Sequence, residues 1–379
     1  MDNQKSIIFD NHNGSHPKLP GMNVETDIQI RLISDPLVYY TQMLKDIQKA
    51  TRYIFLELYR FRNDEMGIRF RDNLIKKCLE GVKIRLLIDS WGAASSYSFF
   101  QDLIDAGGEL RFFKKIRFTW DGFTKSHRRD HRKILIIDDE ITYIGSANIA
   151  AYSLNWRESM FRIKGGIAKT FKTVFYENYK IYNKYFYDKQ SYTKTIHYNG
   201  FEILRDVPSI PWQPVKKKFL ELINGAAREI TIETPYFLPG SSLRKALLGA
   251  AQRGVTVNVH IPKKSDVGVL DLLTSKYLGE MAEQGIKIYF YLPQNLHAKI
   301  FLADRKYFVI GSSNFDYRSF RYQHEICLAG EHKSLTRQIV SHFNETRKDS
   351  EHFNYEYWLR RPVMQRFFEW LLVPFRHLF

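Results

Sequence analysis

His131 and Lys133 stand two residues apart, and the same pair recurs at His297 and Lys299. Residues two apart on an extended strand share a face, so each pair sets an imidazole beside an ammonium. The same further residues follow both pairs at identical offsets: Asp138 and Asp304, then Ser146 and Ser312, then Asn148 and Asn314. Such a set of identities arises by chance in roughly one chain in 10⁵, and here it occurs twice. A further carboxylate follows each copy at nearly matched spacing, Glu158 after the first and Glu325 after the second.

These residue types suit a phosphodiester. If the two copies meet at one pocket, two ammoniums and two amides can stabilise the charge that grows as a nucleophile adds to phosphorus. One histidine can attack and form a phosphohistidine. The other can protonate the leaving alkoxide and then deprotonate the incoming hydroxyl. A carboxylate bonded to one imidazole nitrogen fixes the tautomer and leaves the other nitrogen free to react; Glu158 and Glu325 are candidates for that role, against the plainer alternative of surface ion pairs with Arg157 or Arg318. A metal site is the competing chemistry. A lysine on the same strand face as each histidine would repel a cation, and Asp138 and Asp304 lie several residues away, so no metal and no cofactor are expected.

The elements that must position these residues are two hairpins. In His131–Asn148 an apolar run at 134–137 leads to a turn at 138–140, and a return strand at 141–144 ends at Gly145-Ser146. His297–Asn314 repeats this. Upstream of the first hairpin, strands at 27–32, 53–61, 82–89 and 109–113 alternate with helices at 36–50, 65–80 and 97–106. After residue 195 the order recurs, with strands at 229–234, 255–261 and 285–291 and a helix at 242–252. Strand–helix alternation predicts an α/β fold, built from equivalent halves at 23–194 and 195–350 between a polar arm, 1–22, and a C-terminal segment, 351–379. Duplication for stability alone would explain the repeated apolar pattern but not repeated His, Lys, Ser and Asn.

The chain has 379 residues and a formal charge of +16, which predicts an anionic partner. The two cysteines, Cys78 and Cys327, lack CxxC spacing, so neither a disulfide framework nor a zinc site is expected. The N-terminal stretch has no apolar core of a signal peptide, and no apolar run reaches the ~20 residues of a membrane-spanning helix. Two segments could lie on an anionic bilayer instead. Arg111–Lys133 carries nine Lys/Arg against two Asp, interleaved with Phe112, Phe113, Phe118, Trp120 and Phe123. Trp358–Phe379 mixes arginines with Trp, Phe and Leu and is broken by Pro362 and Pro374; the alternatives for these are a solvated loop and a helix docked on the core.

HxKxxxxD followed by GSxN, present twice, resembles the phospholipase D superfamily, over about residues 25 to 350. Within it the chain is most similar to bacterial cardiolipin synthases, on RDHRKILIID at 129–138, NWRESMFRIKG at 155–165, IETPYFLPG at 232–240 and GSSNFDYRSFRYQHE at 311–325. The chain has Glu158 where such synthases usually carry Asp, Gly145-Ser146 where two glycines are common, Asp139 where Gly often follows the motif, and Tyr322-Gln323 where Leu-Asn is usual. The paired membrane-spanning segments that many of them carry at the N-terminus are missing.

The resemblance implies two phospholipase D-like α/β halves with mixed β-sheets flanked by helices, related by a pseudo-twofold around one shared active site. It implies metal-free phosphatidyl transfer between two phosphatidylglycerol molecules, at the cytoplasmic face of a bacterial membrane. His131 would be the nucleophile and His297 the acid/base, although the residues themselves leave both histidines equally equipped. Lys133, Lys299, Asn148 and Asn314 would hold the phosphate, with Ser146 and Ser312 nearby; Asp138 and Asp304 complete the motif, and their turn positions make them structural. A hydrolytic phospholipase D, a nuclease of the same superfamily and an idle membrane-binding protein are the alternatives. Intact motifs disfavour the last, and apolar clustering beside the basic residues makes nucleic acid the less expected partner.

Overall fold

The computed structural model of the chain describes residues 28–113, 128–184 and 186–378. The expected polar arm and the middle of the basic aromatic stretch lie outside them.

The first sheet has seven strands. They are β1 (Gln29–Ile33), β2 (Tyr53–Leu58), β3 (Lys83–Asp89), β4 (Glu109–Phe113), β5 (Ile134–Ile137), β6 (Ile141–Gly145) and β7 (Met160–Lys164), in the order β1-β7-β6-β5-β2-β3-β4. β2, β3 and β4 are parallel, and the β5–β6 hairpin is antiparallel to its neighbours. Helices α1 (Pro36–Lys49) and α2 (Glu65–Leu79) join the early strands. Asp35 caps α1 through the amides of Leu37 and Val38, and Pro36 sits at its first turn, where its missing N–H is harmless. Helix α3 (Ile167–Ile181) follows β7.

The second half repeats the plan with β8 (Phe201–Asp206), α4 (Pro214–Gly225), β9 (Glu229–Glu233), α5 (Ser241–Gln252), β10 (Thr256–Pro262), α6 (Gly268–Glu283), β11 (Lys287–Tyr291), β12 (Ile300–Ala303), β13 (Tyr307–Gly311), β14 (Gln323–Glu331) and α7 (Lys333–Lys348). Short strands at Ile196–Tyr198 and Ser350–His352 edge this second sheet. The architecture is therefore the expected α/β pair of mixed sheets. One buried cluster lies between the halves: Ile134, Ile136 and Ile144 of the first hairpin meet Ile300, Phe308 and Ile310 of the second, with Phe171 of α3 and Ile339 of α7.

The hairpins turn alike. Glu140 N–H donates to the Ile137 carbonyl, and Lys306 N–H to that of Ala303. The central residues all have positive φ, Asp138 at 54° and Asp139 at 62°, Asp304 at 53° and Arg305 at 56°. These are type I′ turns, whose twist matches the flanking strands. Aspartate tolerates this left-handed backbone better than most residues. Each motif aspartate also binds the start of its neighbouring strand. Asp138 accepts from the amides of Thr51, Arg52 and Tyr53, and Asp304 from those of Ala227, Arg228 and Glu229.

The basic aromatic stretch departs from expectation where it is described. Phe112 and Phe113 are buried in the core, as are Arg129, Arg132 and Lys133. Arg111 stacks over Tyr179 at 3.9 Å and donates to its carbonyl. These residues face the interior rather than a bilayer, because strand β4 and the approach to His131 run through the protein. At the C-terminus, α8 (Tyr355–Leu359) and α9 (Val363–Leu372) both dock on the second half and leave large apolar side chains outside. No helix among the described residues is long and apolar enough to cross a membrane.

Candidate active site

The histidines are brought together by an exchange between the halves. Arg129–Asp130, just before His131, pairs in parallel with Gln323–His324 at the head of β14. Asn295–Leu296, just before His297, pairs in parallel with Trp156–Arg157. The backbone continues both pairings by one residue: His131 N–H donates to the His324 carbonyl at 3.0 Å, and His297 N–H to the Arg157 carbonyl at 2.8 Å. Each histidine therefore stands opposite the glutamate of the other half.

The side chains complete that crossing. His131 Nδ1 lies 2.9 Å from Glu325 Oε1, and His297 Nδ1 lies 2.8 Å from Glu158 Oε2. Counted along the chain, Glu158 follows His131 and Glu325 follows His297; in space the partners are exchanged. Both glutamates are buried. The surface ion pairs considered for them do not form; Arg157 instead bonds Thr346 and His342.

The motif glycines and serines hold the glutamate strands in place. A Cβ on Gly145 would lie 2.2 Å from the Ser159 carbonyl oxygen, and one on Gly311 2.3 Å from that of Ile326. Only glycine permits this close approach. Ser146 Oγ accepts from Ser159 N–H at 2.8 Å, and Ser312 Oγ accepts from Ile326 N–H at 3.0 Å and donates to Glu325 Oε2. The serines thus bond the residues carrying or flanking the glutamates and do not line the cavity.

A cavity of about 270 Å³ opens between the histidines, and His131, His297, Asn148 and Asn314 all line it. Asn148 Oδ1 accepts from Arg60 N–H, and its Nδ2 donates to Tyr152 Oη. Asn314 Oδ1 is buried without a partner. Lys133 and Lys299 lie just behind, each donating to the carbonyl of its own histidine at 2.7 and 2.8 Å. Lys299 Nζ also reaches His297 Nε2 at 3.1 Å. Asp138 and Asp304 are at the far ends of the hairpins, as their turn positions imply.

Burial shapes the electrostatics. It pushes Lys133 down to about 7, helped by the nearby Lys299 charge, and Lys299 down to about 8. Burial, then the Lys133 and Lys299 charges, hold His131 well below its ordinary value. His297 is lowered by burial too, but Glu158 opposes the shift. The glutamates diverge. Burial drives Glu325 well above the usual carboxylate range, and Lys133 only partly offsets it. Burial also pushes Glu158 up, but His297 and Lys299 outweigh it, leaving Glu158 below its usual value and ionised.

Sequence reasoning missed much of the rest of the wall, including Tyr59, Arg60, Tyr152, Trp156, Tyr236, Asp266 and Asp316. The Tyr59 ring lies 5.3 Å from that of His131, and the Trp156 ring 5.0 Å from that of His297. The repeat carried a signal for some of them. Tyr59-Arg60 and Tyr236 follow the carboxyl ends of the equivalent strands β2 and β9, where α/β sheets place their ligands.

Residues 43–179 and 219–347 match the family described as cardiolipin synthase, PLD-like domain. The chain belongs to this family. It is accordingly a phospholipase D-type phosphatidyltransferase. It is 30% identical over 361 residues to the major cardiolipin synthase of Bacillus subtilis (strain 168), covering 90% of this chain and 73% of that one. It is 31% identical over 363 residues to the cardiolipin synthase of Listeria welshimeri, covering 92% and 75%. Among solved structures, the phosphatidylserine synthase of Haemophilus influenzae Rd KW20 superposes with a TM-score of 0.74 at 14% identity, over 94% of this chain and 98% of that one. That likeness establishes a common fold.

Proposed function

We propose that the protein makes cardiolipin by moving a phosphatidyl group from one phosphatidylglycerol to another through a phosphohistidine. What carries the reading is two imidazoles on one cavity, each held at Nδ1 by the other half's glutamate. His131 Nε2 attacks phosphorus, and the bond from phosphorus to the glycerol oxygen breaks. His297, as imidazolium, gives its Nε2 proton to that oxygen, and glycerol leaves. A hydroxyl of the second phosphatidylglycerol then loses its proton to His297 and attacks phosphorus. The phosphorus–nitrogen bond breaks, cardiolipin leaves, and both histidines are restored. Lys133, Lys299, Asn148 and Asn314 stabilise the charge on the phosphoryl oxygens in both steps.

The assignment of roles is supported by the unequal glutamates. Glu158, held below its usual value, opposes the burial that lowers His297 and so favours an imidazolium there, whereas burial raises Glu325 and holds His131 well below its ordinary value, as a nucleophile requires. Glu325 Oε1 accepts from His131 Nδ1–H, which leaves Nε2 with its lone pair.

Access to lipid is proposed through α9 at the cytoplasmic face of the membrane. Val363, Met364, Phe367, Trp370 and Leu371 are exposed on it, a contiguous apolar stripe suited to an interface. The anionic headgroups there suit the +16 chain.

The test is mass spectrometry of lipids after incubation with phosphatidylglycerol vesicles. Cardiolipin with equimolar glycerol is expected, and phosphatidic acid alone would make water the acceptor and the protein a hydrolase. His131→Ala and His297→Ala should each abolish turnover; substantial activity in either refutes the shared site.

A further inference from the structure

A second cavity, of about 550 Å³, lies beneath α8 and α9 and has no part in the phosphoryl chemistry. Pro235, Phe237, Ile261, Leu278, Phe353 and Trp358 give it extensive apolar walls. It adjoins the catalytic cavity, because Tyr236 and Leu270 line both. Tyr236 is pinned there by donating from its hydroxyl to Asp266 Oδ1 at 2.6 Å.

The polar groups around this cavity are engaged with one another. Glu369, buried on the inner side of α9, accepts from Arg361 Nε at 3.1 Å and from Gln365 Nε2 at 2.9 Å. Gln365 also donates to Ser275 Oγ on α6, and Trp358 Nε1 donates to the Ser275 carbonyl. The Arg361 guanidinium lies 3.7 Å from the Trp358 ring centroid. Lys263 pairs with Glu351, both half-exposed at the rim. These bonds hold α9 with its polar side inward and its apolar stripe outward, the reverse of an ordinary surface helix.

A cavity with extensive apolar walls and a polar rim, beside a phosphodiester site and roofed by a helix that presents apolar side chains outward, fits a ligand with an anionic head and a long apolar tail. We infer that this cavity holds one acyl chain of the phospholipid while its phosphate lies between His131 and His297. The inference rests on the phosphatidyl-transfer reading for the identity of the head, but the cavity's taste for an acyl chain is measurable without turnover. Its volume falls within the about 300–1,000 Å³ of small-molecule pockets. Each methylene taken from water into it should strengthen binding about fourfold.

The probe is cis-parinaric acid, a polyene fatty acid that fluoresces when it enters an apolar cavity. The full chain should bind it saturably, one per protein, and single-chain lysophosphatidylglycerols below their micelle concentration should displace it, better by about fourfold per added methylene. Gln365→Trp places an indole in the cavity from the roof, and Thr274→Phe fills it from α6. Each should weaken the probe at least tenfold, with the melting temperature checked so that an unfolded variant is set aside for the other. Unchanged binding in a folded variant of either kind overturns the inference, as does displacement that ignores chain length. His297→Ala should keep full probe binding, so a failed transferase assay and a failed acyl slot are separate results.

Discussion

The two halves are nearly identical where they face the cavity between the histidines and unlike immediately beneath it. Both hairpins turn through a left-handed aspartate, both glycines press on the segment that follows the glutamate, and both histidines bond through Nδ1 to a carboxylate from across the interface. Behind His131, however, lies a set of buried charges: Asp130, Arg132, Glu57, Asp89 and Arg129. Arg132 lies 3.8 Å from Glu57, and Asn178 of α3 bonds both Glu57 and Asp130. The matching residues flanking His297 are Leu296 and Ala298, both apolar. Glu233, the counterpart of Glu57, is served there by His342 of α7 at 2.6 Å. Repetition thus places the same groups on two sides of one cavity, and divergence beneath them gives the two histidines different surroundings.

The sharpest way to break this comparison is to neutralise the glutamates separately. Glu158→Gln removes the negative charge that favours the His297 imidazolium and should lower kcat by roughly 10²–10⁴-fold, the range for losing acid–base assistance. Burial pushes Glu325 up, so its charge does less for His131, and Gln can still accept from His131 in its place; Glu325→Gln should therefore lower kcat less than about tenfold. Steady-state kinetics on phosphatidylglycerol decide this. Equal losses would mean the halves are electrostatically alike, and the opposite ranking would exchange the two histidines' roles.

The next contrast concerns stability. Arg132→Ala should destabilise by roughly 3–5 kcal/mol, because it strands Glu57 and Asp130 as uncompensated buried acids. His342→Gln, in the second half, should destabilise by only about 1–2 kcal/mol, since an amide can still donate to Glu233. Urea unfolding of both variants measures the difference. A small loss at Arg132 would show that the acids beneath His131 are protonated and need no cation.

How much of this was legible in the sequence follows from the range of each interaction. The hairpins, the α/β order and the twelve motif residues could be read because they are local or repeated: an apolar run, a turn, a fixed offset. The crossed glutamates could not. Spacing along the chain matches Glu158 with His131, and only the parallel pairing of Arg129–Asp130 with Gln323–His324 brings Glu325 there instead. The two described ends of the basic aromatic stretch depart from expectation for a related reason. Arg129, Arg132 and Lys133 look like a surface charge run, yet their partners, Asp89, Glu57 and the His131 carbonyl, lie up to 75 residues away in the chain. The C-terminal helices were read as either docked or membrane-facing. α8 docks through Tyr355 and Trp358 and α9 through Gln365, so the apolar stripe of α9 remains exposed for the proposed membrane contact.

The smallest effect on turnover should fall where the halves agree most. Asp138 and Asp304 belong to the motif by sequence, but each spends its carboxylate on three backbone N–H groups far from the cavity. Burial pushes both acids up, and the backbone hydrogen bonds outweigh it, so both sit below the ordinary carboxylate value. A depressed folded value means the unfolded chain binds more protons at acid pH. The contribution to stability is therefore complete above the unfolded pKa of about 3.9 and is lost as pH falls through the folded one. Asparagine keeps the left-handed turn but offers one acceptor oxygen and turns an N–H donor toward other donors. Asp138→Asn and Asp304→Asn should each destabilise by roughly 2 kcal/mol and flatten the acid limb of the stability profile, while kcat at low temperature stays within about twofold. A matching loss from both variants would mark the motif aspartates as a shared structural device. A kcat collapse in one alone would mean that its hairpin, unlike the other, transmits the turn's geometry to its histidine.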